Sequence, residues 1–225
     1  MRTDSLRVET KGGDTTAFVA RPDDDTDRAV VVIQEYWGLN DHIKDVTGRY
    51  ADEGFIAFAP DLYRGNIAKN PNEASKMMQD LAIKDGIDTI AQTLSKAREA
   101  YGISHFGITG YCMGGTFALR AACELEGLSA AVPFYGDIPD NEVLSKLRTP
   151  TIFISGTRDG WITPEKPTTA LRPSSPLKRG RASCASACPQ TQAKLSCASQ
   201  VAFIGAARPP HDAKSCGGRD GDEDQ

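Results

Sequence analysis

The stretch Phe106-Gly107-Ile108-Thr109-Gly110-Tyr111-Cys112-Met113-Gly114-Gly115-Thr116 constrains this chain more than any other. It reads as a short buried strand, a tight turn flanked by glycines, and a helix opening near Thr116-Phe117-Ala118-Leu119. The turn has the pattern Gly-x-Cys-x-Gly, with Cys112 at its apex. Such an apex sits on a strained backbone with no space for side chains beside it, which accounts for Gly110 and Gly114. It also lies at a helix N-terminus, where backbone N–H groups and the positive end of the helix dipole favour a thiolate and can hold an oxyanion. A plainer reading makes Cys112 a small buried thiol and the glycines a simple turn. The strand-like run before it and the helix-like run after it favour a nucleophile elbow.

A chain of 225 residues with 40% hydrophobic and 25% charged residues is the size and composition of one soluble α/β domain. The net charge of -4 argues against nucleic acid, and no apolar run approaches the ~20 residues that span a bilayer. The N-terminus, Met1-Arg2-Thr3-Asp4-Ser5-Leu6, carries no hydrophobic signal region, so the expected location is cytoplasmic. Six cysteines in such a setting need no disulfides.

The composition changes along the chain. Residues 1–165 carry 25 Asp+Glu against 17 Lys+Arg, whereas residues 166–225 carry 5 against 9. Four of the six cysteines, Cys184, Cys188, Cys197 and Cys216, fall in this last part. Only Val201-Ala202-Phe203-Ile204 looks like a strand there. The rest has neither helical nor strand periodicity and reads as low-complexity or disordered. The expected organisation is therefore an α/β core over residues 1–165 followed by an anomalous tail over 166–225.

Within the core, Leu6–Thr10 and Thr15–Ala20 read as a hairpin around the Lys11–Asp14 turn. Ala29–Ile33 is a continuous apolar run, as expected for a strand buried on both faces of a parallel sheet. Asn40–Glu53 suits a helix capped at Asn40 or Asp41 and closed by Gly54. Phe55–Pro60 is a strand. Asn72–Ala97 is helical in pattern, with a break expected near Lys84-Asp85-Gly86. The elbow strand and helix follow, then strands at Leu128–Tyr135 and Thr151–Gly156. This alternation predicts a mostly parallel sheet with helices on both faces and catalytic groups at the C-terminal ends of its strands.

Two strand ends carry chemistry besides the elbow. The segment Gln34-Glu35-Tyr36-Trp37-Gly38-Leu39-Asn40 follows the Ala29–Ile33 strand directly. A loop in this position supplies the second oxyanion N–H, for which Tyr36 is the candidate, paired with Met113. Glu35, directly after an apolar strand, is partly desolvated. It either caps the next helix or faces Cys112 and controls its protonation. Asp159, just past the Thr151–Gly156 strand, is either the acid of a triad or a turn-forming Asp-Gly. Of the three histidines, His42 reads as a surface or capping residue and His105 as structural. His211 alone follows Asp159, yet it lies in the anomalous tail after two prolines, where nothing is expected to hold it as the triad base. Cys184 and Cys188 form a Cys-x3-Cys pair without the partners of a zinc set, so no metal is expected. No phosphate loop is present at Gly110–Gly115.

Gln34–Asn40, Ala59-Pro60-Asp61-Leu62-Tyr63, Gly110–Gly115 and Gly156-Thr157-Arg158-Asp159 together resemble the dienelactone hydrolases (carboxymethylenebutenolidases), over roughly residues 5–165. The resemblance implies an α/β-hydrolase fold, a Cys-Asp-His triad and no cofactor. It implies hydrolysis of a small lactone or ester, with Glu35 hydrogen-bonded to the resting thiol until substrate displaces it. It also implies substrate contacts from Trp37, Tyr63 and Arg64, the arginine binding a substrate carboxylate. The expected partner is a small-molecule lactone or ester, bound by a monomer or weak homo-oligomer. The family's Gly-His segment, about thirty residues after the Asp, and its closing helix do not appear in residues 166–225. Either the reading frame shifts near Thr163-Pro164-Glu165 or the segment is a genuine replacement. A second functional reading follows: an α/β-hydrolase-like scaffold without its base, binding a small ligand or partner.

Overall fold

A computed structural model describes residues 1–156, Asp159 and Ile162, together with the backbone of residues 179–181 and 199–204. In chain order the elements are β1 (Arg2–Val8), β2 (Thr15–Arg21), β3 (Arg28–Ile33), α1 (Asp41–Asp52), β4 (Ile56–Pro60), α2 (Pro71–Asp80), α3 (Ile83–Tyr101), β5 (His105–Tyr111), α4 (Met113–Glu124), β6 (Leu128–Phe134), α5 (Asn141–Leu144), β7 (Thr151–Gly156), β8 (Arg179–Arg181) and β9 (Ser199–Ile204). They form one sheet in the order β1-β2-β4-β3-β5-β6-β7-β9-β8. β4, β3, β5, β6 and β7 are parallel neighbours at its centre, and β1, β2, β9 and β8 join antiparallel at the two edges.

The apolar run of β3 is buried along its length because helices cover both faces. Val31 and Ile33 face α3 and α4, packing with Ile90, Leu94, Phe117 and Ala118. Val30 and Val32 face α1, packing with Ile43, Val46 and Ala51. A third cluster, Leu119, Cys123, Val143, Leu144, Phe153 and Ile162, fills the β7 side of α4. α1 begins as expected, with the Asn40 side chain accepting from the Ile43 N–H at 3.1 Å.

Two element boundaries around the site differ from the expectations. The long helical pattern breaks at Leu81–Ala82, between α2 and α3, and not near Gly86. Gly86 lies inside α3 for a packing reason: a Cβ there would overlap the Phe117 ring of α4. α4 starts at Met113, directly after Cys112, so Gly114 and Gly115 belong to its first turn. The one strand-like run expected in the tail, Val201–Ile204, is a strand. β9, which contains the apolar run Val201–Ile204, lies antiparallel to β7 from Thr151↔Ile204 to Gly156↔Ser199. A strand edge left open by β7 is a ready template for such a run.

Candidate active site

Sheet register brings the site together. In the β3–β5 pair Ile33 stands opposite Gly110. The chain leaving β3 at Gln34-Glu35 therefore runs beside the chain leaving β5 at Tyr111-Cys112. Tyr111 stands opposite Phe134 of β6, and the Cys112 N–H donates to the Phe134 carbonyl at 3.1 Å. Tyr135 thus emerges beside Cys112, and Asp159 follows β7 on the far side. Parallel strands with one direction place all these residues at one edge of the sheet.

Cys112 has φ 54 and ψ -116 and is the residue before the first turn of α4. Positive φ is costly for a residue with a Cβ and persists only where the surroundings enforce it. Here they do so through backbone contact. A Cβ on Gly110 would overlap the Gly114 carbonyl, and one on Gly114 would overlap the Ile33 and Gln34 carbonyls. The glycines thus let α4 press its first turn onto β3 and β5, and Cys112 is pushed out at the apex.

Burial raises the Cys112 thiol pKa above its ordinary value, the Met113 N–H at the sulfur opposes this, and the Glu35 and Asp159 carboxylates add to the rise. The helix end acts in the expected direction, but burial is the larger effect, so the resting thiol keeps its proton. Burial likewise raises the Glu35 pKa, with His42 of α1 lowering it. Tyr63 and Tyr135 are raised too, Tyr63 to about 12, by burial first; Cys112 adds to both, and Glu35 adds to Tyr135. These shared influences put Glu35, Tyr135, Asp159 and Tyr63 in electrostatic contact with the sulfur.

The remaining sequence candidates divide. The Tyr36 N–H makes no hydrogen bond among the described residues. Tyr36 and Trp37 meet edge to face at 5.0 Å, and the Trp37 carbonyl accepts from the Ala68 N–H at 3.0 Å. The Tyr63 hydroxyl donates to the Met113 sulfur at 3.2 Å, which steadies the residue next to Cys112. Arg64 is not brought to the thiol. Its guanidinium pairs with Asp85 at 2.7 Å and also reaches Thr10 and the Gly13 carbonyl, which ties it to the β1–β2 turn and α3. Arg64, expected as a carboxylate clamp, thus stands paired with Asp85. Asp159 accepts from the Ile162 N–H at 3.0 Å. His42 is exposed, and His105 lies at the opposite edge, its N–H donating to the Asp27 carbonyl. His211 lies outside the described residues.

Two features were not read from the sequence. Gln34 is fully buried, accepts from the Leu62 N–H at 3.3 Å and leaves its Nε2 without a partner among the described residues. Through Leu62 it ties the end of β3 to the loop carrying Tyr63. The second feature is a cavity of about 190 Å³ that opens on Cys112, with Tyr135, Thr116, Phe117 and the α2–α3 junction as its walls. Tyr135 was within reach of the strand-end rule, because it directly follows β6. Its φ of 40 and its place beside Cys112 needed coordinates. Among the described residues no group of His, Cys, Asp and Glu could hold a metal ion.

Residues 15–172 match the family model of the dienelactone hydrolases. A protein of Aquifex aeolicus, provisionally named a carboxymethylenebutenolidase, is 38% identical over 146 residues, which are 60% of this chain and 62% of that relative. The chain thus spans less than two thirds of that relative's length. A carboxymethylenebutenolidase of Pseudomonas sp. (strain P51) is 30% identical over 179 residues, 73% of this chain and 74% of the relative. A crystal structure from Klebsiella pneumoniae subsp. pneumoniae, provisionally named a dienelactone hydrolase, superposes with a TM-score of 0.68 at 25% identity, covering 75% of this chain and 78% of that one. The architecture is the α/β-hydrolase fold, with a mostly parallel sheet and helices on both faces.

Proposed function

The chain belongs to the dienelactone hydrolase family, and from that premise we propose that it hydrolyses a small lactone or carboxylic ester with Cys112 as nucleophile. The observation that carries this reading is the placement of Cys112: a strained apex at φ 54, at the N-terminus of α4, opening on a cavity and facing two carboxylates.

The chemistry follows from the surroundings. At rest the thiol is protonated, which protects it from oxidation and adventitious alkylation. A substrate entering the cavity puts its carbonyl carbon against the sulfur. The thiol proton leaves, Glu35 being the carboxylate positioned to receive it. The thiolate then adds to the carbonyl carbon and the π electrons move to oxygen. In this scheme the Tyr36 and Met113 N–H groups hold that oxyanion, and preorganised donors of this kind contribute the larger part of such catalysis. Collapse breaks the bond to the leaving oxygen, which takes up the proton. Water then cleaves the thioester, releasing the acid and restoring the thiol. In this scheme Asp159 is the acid that orients a base for the water step; His211 alone among the histidines follows it in the chain, in the tail where nothing is expected to hold it.

The test is turnover of p-nitrophenyl butyrate by the full chain and by Cys112→Ala. Loss of turnover in the variant supports the reading, and equal turnover in the two proteins overturns it.

A further inference from the structure

The segment after β4 is pinned from several sides. The Leu62 N–H donates to Gln34 Oε1 at 3.3 Å. The buried Asp61 carboxylate accepts from the Tyr63 N–H at 2.9 Å and from the Gly65 N–H at 2.6 Å. The Tyr63 carbonyl accepts from Asn66 Nδ2 at 2.7 Å. Arg64 has a φ of 52 inside this turn, a backbone that persists only where its neighbours enforce it. The Tyr63 side chain therefore leaves a fixed base, and its hydroxyl donates to the Met113 sulfur at 3.2 Å. Tyr63 is 7% exposed and Met113 6%. Burial pushes the phenol up to about 12, so it keeps its proton, and its donor, at neutral pH.

Met113 is a residue that needs holding. It is the first residue of α4, whose start has no side-chain cap. Its N–H, one of those a helix leaves without an internal partner, stands at the Cys112 sulfur. The peptide that carries this N–H follows the strained φ 54, ψ -116 of Cys112. A methionine side chain is unbranched and adapts readily, but one held at its sulfur does not. The Leu62-Tyr63 segment thus spans from the strand end that carries Tyr36 to Met113, the residues with the two candidate oxyanion donors. Among the described residues the cavity wall includes Met113 and not Tyr63.

We propose that Tyr63 is a positioning residue: through the Met113 thioether it holds the Cys112–Met113 peptide, and with it the Met113 N–H, in the orientation the oxyanion requires. This inference rests on the hydrolase reading for the word oxyanion, but the hold on Met113 can be measured at the thiol without turnover.

The experiment compares the full chain with Tyr63→Phe, Met113→Leu and the double variant. Tyr63→Phe deletes one oxygen atom. Met113→Leu is a volume-conserving change that removes the sulfur acceptor. With p-nitrophenyl butyrate, each single variant should lower kcat about fivefold, the size of one hydrogen bond. The KM of Tyr63→Phe should stay within about twofold of the parent. The double variant should also fall about fivefold, not about twenty-five-fold, because both changes break the same contact. Losses that multiply, an unchanged kcat in Tyr63→Phe, or a raised KM there, which marks a direct substrate contact, would overturn the inference. Iodoacetamide labelling, read at the Cys112 peptide by mass spectrometry, gives the same cycle without substrate. A thiolate that loses its N–H donor is less stable, so both single variants and the double should label more slowly by a similar, severalfold factor. Equal labelling rates in all four proteins would overturn the inference as well. If the labelling cycle shows the coupling while the parent turns over no ester, the hydrolase reading falls and the hold on Met113 stands. If the parent turns over the ester through Cys112 while the losses multiply in both cycles, the inference falls and the hydrolase reading stands.

Discussion

The two described cysteines lie at opposite ends of one helix and have different surroundings. Cys112 precedes the first turn of α4, with a left-handed backbone, an amide N–H at its sulfur and an open cavity in front. Cys123 lies in the last turn, packed with Leu119, Val143 and Phe153, and burial pushes its thiol up to about 11. Both thiols are raised, so the direction of the shift does not separate them. What separates them is access and the donors around the sulfur, and both follow from where the backbone places the residue.

The largest expected effect on this comparison is Cys112→Ala, which should lower kcat/KM for an aryl ester by at least about a thousandfold, roughly 4 kcal/mol of transition-state stabilisation. Cys123→Ala should leave kcat/KM within about twofold and cost about 1 kcal/mol of stability. Similar losses of activity in the two variants would break the distinction.

The backbone origin of the contrast is tested by Gly114→Ala. Its Cβ would meet the Ile33 and Gln34 carbonyls, which are fixed in the sheet end, and overpacking against backbone should cost about 3 kcal/mol. Gly54→Ala, at φ 83 with nothing near its Cβ, should cost only about 1 kcal/mol. Thermal melts of the two variants check the order, and a Gly114→Ala melt like that of the parent would remove the close-packing argument.

A smaller effect is expected at Glu35. Its carboxyl pKa is raised by burial, so the folded state binds that proton more tightly than the unfolded chain. Stability is therefore lost as pH rises from the ordinary carboxylate range through the raised value. Glu35→Gln should melt roughly 2–4 °C higher than the parent at pH 7, the equivalent of about 1 kcal/mol, and show little difference near pH 4. Cys112 alkylation should be roughly fivefold faster in the variant at pH 7, since a like charge of about 1 kcal/mol is removed. The rate difference should vanish below the Glu35 pKa. An alkylation rate and a melting point that do not change at pH 7 would place Glu35 away from the sulfur.

Much of this was legible in the sequence because it depends on local pattern. The apolar run of β3, the Asn40 cap and the glycines around Cys112 each state a backbone requirement that short-range chemistry fixes. That Glu35 and Cys112 leave neighbouring strand ends was legible as well, since both follow parallel strands. What stayed hidden depends on contacts between distant segments. Arg64 sits in a recognisable motif, yet its direction is set by Asp85 and Thr10, which no local pattern connects to it. The break at Leu81–Ala82 was misplaced to Gly86 because a glycine inside a helix reads as a breaker when its partner, Phe117, is out of view. The cavity is built from α2, α3, α4 and the end of β6, so no single stretch announces it.

The central claim, that the backbone makes Cys112 the nucleophile, is tested most directly by trapping the acyl-enzyme. The full chain is mixed with p-nitrophenyl butyrate, quenched in acid within the first turnovers and digested, and the peptides are weighed. The butyryl group should be found on the Cys112 peptide and not on the Cys123 peptide, and it should be lost as the substrate is consumed. A butyryl group found on any other residue, or p-nitrophenol released in a burst with the Cys112 peptide unmodified, would contradict the account.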